Sequence, residues 1–193
     1  MRASAGHPPT GANQQARAIL GRMMTEPFQR FFVEFDPPLA DGEACRVVFA
    51  DDPVIILFFQ SWAYSLDFGG THELAQAAQY LKTKQKIDLR PLFKYADRDI
   101  ETPNDQREMD RSWQPAGDLA ACARAVAEAW TTPDDILAPL IQGYAHLAPR
   151  LLELAAMCDW AAARAASPDA EARVRMTFLL ETPEARTSRP AGY

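Results

Sequence analysis

Histidine, cysteine and glycine are scarce in this chain, and the motifs that depend on them are missing. Among 193 residues there are three histidines, three cysteines and nine glycines. No C-x-x-C pair occurs, so zinc knuckles and thioredoxin-like sites of that form are excluded. A G-x-S-x-G elbow, a Walker loop and an H-E-x-x-H helix are also missing. The sequence therefore predicts no cofactor and no catalytic site of a familiar type.

Long apolar runs are missing as well. The longest, residues 54–59, is too short to span a bilayer, and residues 1–15 lack the apolar core of a signal peptide. The cysteines, Cys45, Cys122 and Cys158, are odd in number and far apart, which is typical of free buried thiols in a reducing compartment. We therefore expect a cytoplasmic protein that does not bind a membrane.

Positive charge is the minority charge. Lys and Arg number 20 against 26 Asp and Glu, which gives a formal net charge of −6. This total disfavours binding along a phosphate backbone, which needs clustered Lys and Arg, so nucleic acid is not an expected partner. It fits either a protein that docks on another protein or a solvated acidic surface. Hydrophobic residues make up 48%, as in ordinary globular domains.

Strand signals lie near both ends of the chain. Residues 29–36, 45–50 and 54–59 are rich in aromatic and β-branched side chains and are bounded by Pro, Gly and Asp, a pattern that predicts an antiparallel meander. Residues 60–68 fit either a strand or a helix. Residues 173–181 alternate between apolar and polar side chains, which predicts a final strand.

Helical periodicity dominates the second half of the chain. Apolar residues recur at three- and four-residue spacing over 115–130 and again over 149–166. We therefore predict an α+β fold, a small antiparallel sheet of about four strands with helices packed on one face. Strict βαβ alternation is missing, which disfavours a doubly wound nucleotide-binding fold. The chain divides into a flexible lead, a single α+β domain and a flexible tail: 1–14, 15–181 and 182–193.

A basic segment interrupts the acidic chain and is the predicted partner-binding surface. Its cations are Lys82, Lys84, Lys86, Arg90 and Lys94, followed by Arg98. Only Asp88 and Asp97 oppose them locally, and such asymmetry suits an acidic partner. The alternative is a lysine-rich helix end that runs into an exposed loop.

Three aromatic residues form a second partner-binding candidate. Trp62, Tyr64 and Phe68 precede two consecutive glycines. Exposed together, they would make an aromatic patch of the kind enriched at interface cores. The alternative is that they are core aromatics at the end of a strand.

Histidine chemistry is confined to few positions. His72, close to Asp67 and followed by Glu73, is the candidate acid–base group of a hydrolase-like site. The alternative is that His72 caps a helix or faces water.

Acidic residues in the polar segment 94–112 have calcium-loop spacing. Counted from the first, they fall at positions 1, 3, 5, 9 and 12 of an EF-hand loop: Asp97, Asp99, Glu101, Asp105 and Glu108. Thr102 occupies the sixth position, where glycine permits the sharp turn, and Pro103 restricts the seventh. A solvated polar loop is the alternative, and no metal is predicted.

Two classes of function remain compatible with these candidate sites. The first is a small binding or accessory protein, such as an adaptor, inhibitor or subunit, that docks on another protein. The second is an enzyme with an unfamiliar site, a hydrolase that uses His72 with Asp67 or Glu73.

Overall fold

The computed structural model describes residues 28–45, 72–165 and 171–181, and also Val54, Ile55, Phe58 and Ser61. At 28–30, 180 and 181 it describes the backbone alone. Residues Gln29–Leu179 form one compact unit. The side chains discussed below all belong to this unit. The predicted lead and tail lie outside the described residues.

The sheet is organised around its last strand. In the described ranges four strands form it: β1 (Phe28–Asp36), β2 (Tyr95–Asp97), β3 (Gln114–Pro115) and β4 (Arg173–Glu181). β4 lies between β1 and β2 and also pairs with β3. β2 runs parallel to it with Tyr95 opposite Met176, and β3 runs antiparallel with Gln114 opposite Val174. The sheet is therefore mixed and mostly antiparallel.

Helices supply most of the core. Those described in full are α1 (Glu73–Thr83), α2 (Pro103–Arg111), α3 (Ala116–Thr131), α4 (Leu137–Ile141) and α5 (Leu147–Arg164), and a short 3-10 helix covers Gln142–Tyr144. α3 packs along α5, and α1 packs against α4. The periodicity predicted for the two long helices is confirmed, because Leu119, Val126, Leu151 and Leu154 are all fully buried. None of the helices in the described ranges has the length and apolar character of a bilayer span.

The two faces of β4 have opposite character. Val174 and Met176 are fully buried in the helical core, whereas Arg173 is exposed and Arg175 half-buried on the other face. This alternation follows from the two-residue period of a strand and confirms the prediction for residues 173–181. The α+β class, a four-stranded sheet with helices packed against it, is also confirmed.

The strand predicted for residues 54–59 is wrong. Val54, Ile55, Phe58 and Ser61 are helical and buried. Their spacing of one, three and three residues places them on one face of a helix, so burial of that face outweighed the β-branched composition. The meander therefore lacks its third predicted strand. The second, at 45–50, lies almost entirely outside the described residues.

Adjacent leucines on α5 test this packing. Leu151 is fully buried and Leu152 is 50% exposed. We expect Leu151→Ala to lower the free energy of unfolding by about 2–5 kcal/mol, because it removes buried methyl groups and leaves a cavity. Leu152→Ala should lower it by less than about 0.5 kcal/mol. Urea denaturation of both variants measures the difference, and equal losses would contradict the placement of α5.

Candidate functional site

The segment between α1 and β2, which we call the 84–94 loop, has an irregular backbone that is anchored at several points. Leu89 and Leu92 are buried in the core. The N–H of Ile87 donates to the carbonyl of Leu81 at 3.1 Å, and the N–H of Phe93 donates to that of Leu89 at 3.2 Å. These contacts hold the loop backbone on the core, so its charged side chains project outwards.

The loop begins with an unusual turn at Lys86. Its φ is +60°, and in the described part of the chain no other non-glycine residue has a positive φ. This left-handed conformation is disfavoured for residues with a Cβ atom, and the Ile87 hydrogen bond to α1 helps to offset it. The side chains of Lys84 and Lys86 are exposed and make no ion pair or hydrogen bond with any described residue. Two cations are therefore presented to solvent on a defined turn.

Arg90 and Asp88 form the centre of the loop surface. The Nε of Arg90 donates to both carboxylate oxygens of Asp88, at 2.9 and 3.0 Å, and its Nη2 donates to Oδ2 at 2.6 Å. These hydrogen bonds from Arg90 are the main cause that lowers the pKa of Asp88 to about 2. The Arg90 side chain is 90% exposed and that of Asp88 53% exposed. Water and salt screen such a pair, so it contributes little to stability.

Three open cavities surround this pair, and both residues line all three. One of about 300 Å³ extends towards Lys82 and Phe93. One of about 590 Å³ lies between the loop and α3, and one of about 230 Å³ extends towards Lys94. Among the described residues, their charged lining consists of four cations and two acids: Lys82, Lys86, Arg90, Lys94, Asp88 and Asp118. The three cavities therefore form a concave surface on which the described positive charges outnumber the negative ones.

Helix α3 forms the wall opposite the loop. Ala121, Cys122 and Ala125 line the cavity of about 590 Å³ from this side. The thiol of Cys122 donates to the carbonyl oxygen of Asp88 at 3.1 Å, which ties the loop backbone to the helix. Burial raises the pKa of the Cys122 thiol to about 12, so the group stays protonated and acts as a donor rather than a nucleophile.

The far end of the loop is held by β3 and the residue before it. The Nζ of Lys94 donates to the carbonyl oxygen of Trp113 at 2.7 Å. Gln114 is buried, and its Nε2 donates to the carbonyl oxygens of Pro91 and Lys94, at 3.0 and 3.4 Å. A buried amide that satisfies two loop carbonyls fixes their position, since leaving them unpaired would cost free energy.

The structure thus brings together most of the basic segment. Of the predicted partner-binding cations, Lys82, Lys86, Arg90 and Lys94 line the cavities, and Lys84 is exposed beside them. Arg98 belongs elsewhere, because its guanidinium lies 3.4 Å from Glu34 and 4.3 Å from the centre of the Phe32 ring. The predicted aromatic candidates Trp62, Tyr64 and Phe68 lie outside the described residues.

His72 has a structural role in the described part of the chain. Its Nδ1 accepts the N–H of Leu74 at 3.2 Å, which caps the N-terminus of α1. The ring is exposed, and it lies 6.1 Å from the ring of Tyr144, whose hydroxyl donates to Glu73 at 3.4 Å. Asp67, the other proposed partner, lies outside the described residues.

The acidic residues with calcium-loop spacing do not lie on one continuous loop. β2 ends at Asp97 and α2 begins at Pro103, so the loop predicted over 94–112 is wrong. Asp105 accepts the N–H of Thr102 in a capping box, a helix signal present in the sequence and hidden by the acidic composition.

The other residues of this set make local hydrogen bonds through their side chains or their backbone N–H groups. Asp97 accepts the N–H of Asp99 at 3.0 Å, and Glu108 accepts from the side chain of Asn104 at 2.9 Å. Glu101 is exposed and donates its backbone N–H to Asp105 at 3.1 Å. In the described ranges no group of three or more His, Cys, Asp or Glu residues is placed to hold a metal ion.

An ionic network on the outer face of the sheet was not predicted. Glu34 of β1 accepts from the Nε of Arg175 at 2.9 Å, and the Arg175 guanidinium lies 4.5 Å from the centre of the Trp113 ring. Arg173 pairs with Asp36 at 3.5 Å. The alternation in β4 indicated an outward-facing row of arginines, but the sequence carries no signal that pairs β4 with β1. Because its charges are paired internally, the network serves to hold the sheet together.

Comparison with family models, with curated proteins and with solved structures finds no match to this chain. No relative therefore indicates a substrate or a partner. The function is inferred from the chemistry of the described residues.

The Cys122 thiol reports on the contact between loop and helix. With a pKa of about 12, its thiolate fraction near neutral pH is about a thousandfold smaller than that of an ordinary cysteine. We expect iodoacetamide to alkylate Cys122 in the folded protein at least about a thousandfold more slowly than it alkylates an ordinary exposed cysteine. In urea the alkylation of Cys122 should become fast. Peptide mapping by mass spectrometry measures the rate at this residue. Fast labelling under native conditions would show that the Cys122 thiol is not held against the Asp88 carbonyl.

Proposed function

We propose that this chain is a small cytoplasmic binding or accessory protein that docks on an acidic region of another protein. The docking surface, which we call the basic loop surface, consists of Lys82, Lys84, Lys86, Arg90 and Lys94. The observation that supports it best is the pair of exposed lysines, Lys84 and Lys86, on an anchored turn beside three cavities.

Charge segregation favours this proposal. The chain carries a net charge of −6, yet the described residues that line the cavities around Arg90 include four cations and two acids. A positive patch on a negative protein attracts an acidic partner during encounter. The negative remainder of the surface repels the same partner when it approaches from other directions. The basic loop surface is therefore suited to selecting one orientation of docking.

Rigidity of the loop favours it as well. Leu89 and Leu92 are buried, and Gln114 and Cys122 bind loop carbonyls from two different elements. A surface that is already ordered loses little backbone entropy when a partner binds. The exposed lysine side chains are the groups that would become ordered, and each gains an opposite charge in return.

Catalysis through His72 has less support. The Nδ1 of His72 is engaged in capping α1, and the residue lines none of the three cavities around Arg90. These contacts therefore favour docking over catalysis.

Charge reversal on the turn tests docking. We expect Lys84→Glu combined with Lys86→Glu to weaken capture of a partner from native lysate about tenfold, because like charges would then face each other across the interface. Arg107→Glu with Arg111→Glu, on the exposed side of α2, makes the same change of charge away from the cavities. Pull-downs at low and high salt, quantified by mass spectrometry, compare the three proteins.

The proposal requires a stoichiometric partner that high salt and the loop variant release and the α2 variant retains. Circular dichroism and the midpoint of thermal unfolding confirm that each variant is folded. A partner held equally by both variants would place the interface elsewhere, and the absence of any partner at both salt concentrations would count against docking.

A further inference from the structure

The guanidinium of Arg90 is closed on a carboxylate of its own loop. Three donor–acceptor distances of 2.6–3.0 Å join it to Asp88, and the backbone N–H of Arg90 donates to the same carboxylate at 3.1 Å. This forked contact is the geometry by which arginine recognises carboxylates in general. Asp88 therefore occupies the place that a partner's carboxylate would take.

The contact is open to exchange. The Arg90 side chain is 90% exposed and the Asp88 side chain 53%, so water reaches both groups and the pair is weak. The Asp88 side chain is short and its backbone carbonyl binds Cys122 of α3, whereas the Arg90 side chain is long and the more exposed of the two. Arg90 can turn towards an incoming carboxylate while Asp88 stays in place.

The surroundings specify the kind of segment that fits. A chain crossing from the cavity of about 590 Å³ to that of about 230 Å³ passes over Asp88 and Arg90, which line both. Lys86 lines the first of these cavities, Lys94 lines the second, and Asp118 lines both, so positive charge exceeds negative charge by one among the described residues. The first also contains apolar groups from both walls: Ile87, Pro91, Ala121 and Ala125. The excess of positive charge, with the Arg90 guanidinium at the centre, suits an extended acidic peptide segment.

We infer that an acidic peptide segment of a partner docks across these two cavities by taking Arg90 from Asp88, so that Asp88 is a built-in competitor that sets the affinity and rejects weakly acidic segments. This inference rests on the proposed docking function and adds the partner's chemistry and a mechanism of selection. Rejection follows because a segment must supply a carboxylate at the position of Arg90 to replace the internal contact.

A titration with a defined acidic peptide tests the exchange. The probe is octaglutamate with an N-terminal fluorescein, followed by fluorescence anisotropy at low salt. We expect Asp88→Asn to tighten binding about two- to fivefold and Arg90→Gln to weaken it by a similar factor, the range set by a solvent-exposed ion pair. Matched controls with the same change of charge are Asp135→Asn and Arg111→Gln, both exposed and outside the cavities. The controls should shift affinity less.

The double variant decides the mechanism. If Asp88 acts by occupying Arg90, then Asp88→Asn tightens binding in the native background and not in the Arg90→Gln background. Equal tightening in both backgrounds would show that Asp88 acts through its charge alone and would overturn the exchange. So would tighter binding of an oligothymidylate of the same length than of octaglutamate, because the surface would then select phosphate.

Failure of the exchange is distinguishable from failure of docking. The charge-reversed protein, with Lys84→Glu and Lys86→Glu, is titrated alongside. If it loses octaglutamate while Asp88→Asn changes nothing, docking on the basic loop surface stands and the exchange is wrong. If the native protein and every variant fail to bind octaglutamate, both the docking surface and the exchange are contradicted.

Discussion

The pairing of β4 with three other strands is the constraint on which the rest of this structure depends. Its partners β1, β2 and β3 come from distant parts of the chain, so the sheet is complete only when the last strand is in place. The position of the 84–94 loop depends on this pairing. Lys94 precedes Tyr95, which lies opposite Met176, and Gln114, which holds the loop carbonyls, lies opposite Val174. A loop far from β4 in sequence is thereby connected to the sheet at both Lys94 and Gln114.

The basic loop surface combines a fixed backbone with exchangeable side chains. Core anchors and buried hydrogen-bond donors hold the main chain, whereas the charged groups above it lie in water, where ion pairs are weak. The sheet face has the opposite arrangement, because Arg175 and Glu34 are only 16% and 25% exposed and bind each other across two strands. Charges on the first surface are exposed to water, and those on the second stabilise the sheet.

Long periodic segments could be predicted, and so could the short aromatic-rich run that forms β1, whereas the short apolar run at 54–59 could not. The faces of α3 and α5 followed from a spacing repeated over several turns, and β4 followed from strict alternation. The strand prediction for residues 54–59 was wrong because six consecutive apolar residues satisfy both the two-residue period of a strand and the 3.6-residue period of a helix. Burial of one helical face decided between the two structures. The calcium-loop spacing failed for another reason. Thr102, Pro103 and Asp105 form a helix start, and a helix separates acids that a loop would bring together.

The sequence by itself determined which stretch of this protein is basic and which helices are amphipathic, because both properties depend on residues close together along the chain. Only the tertiary structure decided where the basic residues lie and what they contact. It placed the wall of α3 against the loop, with Cys122 on the Asp88 carbonyl 34 positions away, and sent Arg98 to Glu34 on another surface. The physical reason is that concave sites are formed between distant segments, whose contacts depend on strand pairing and core packing rather than on local propensity.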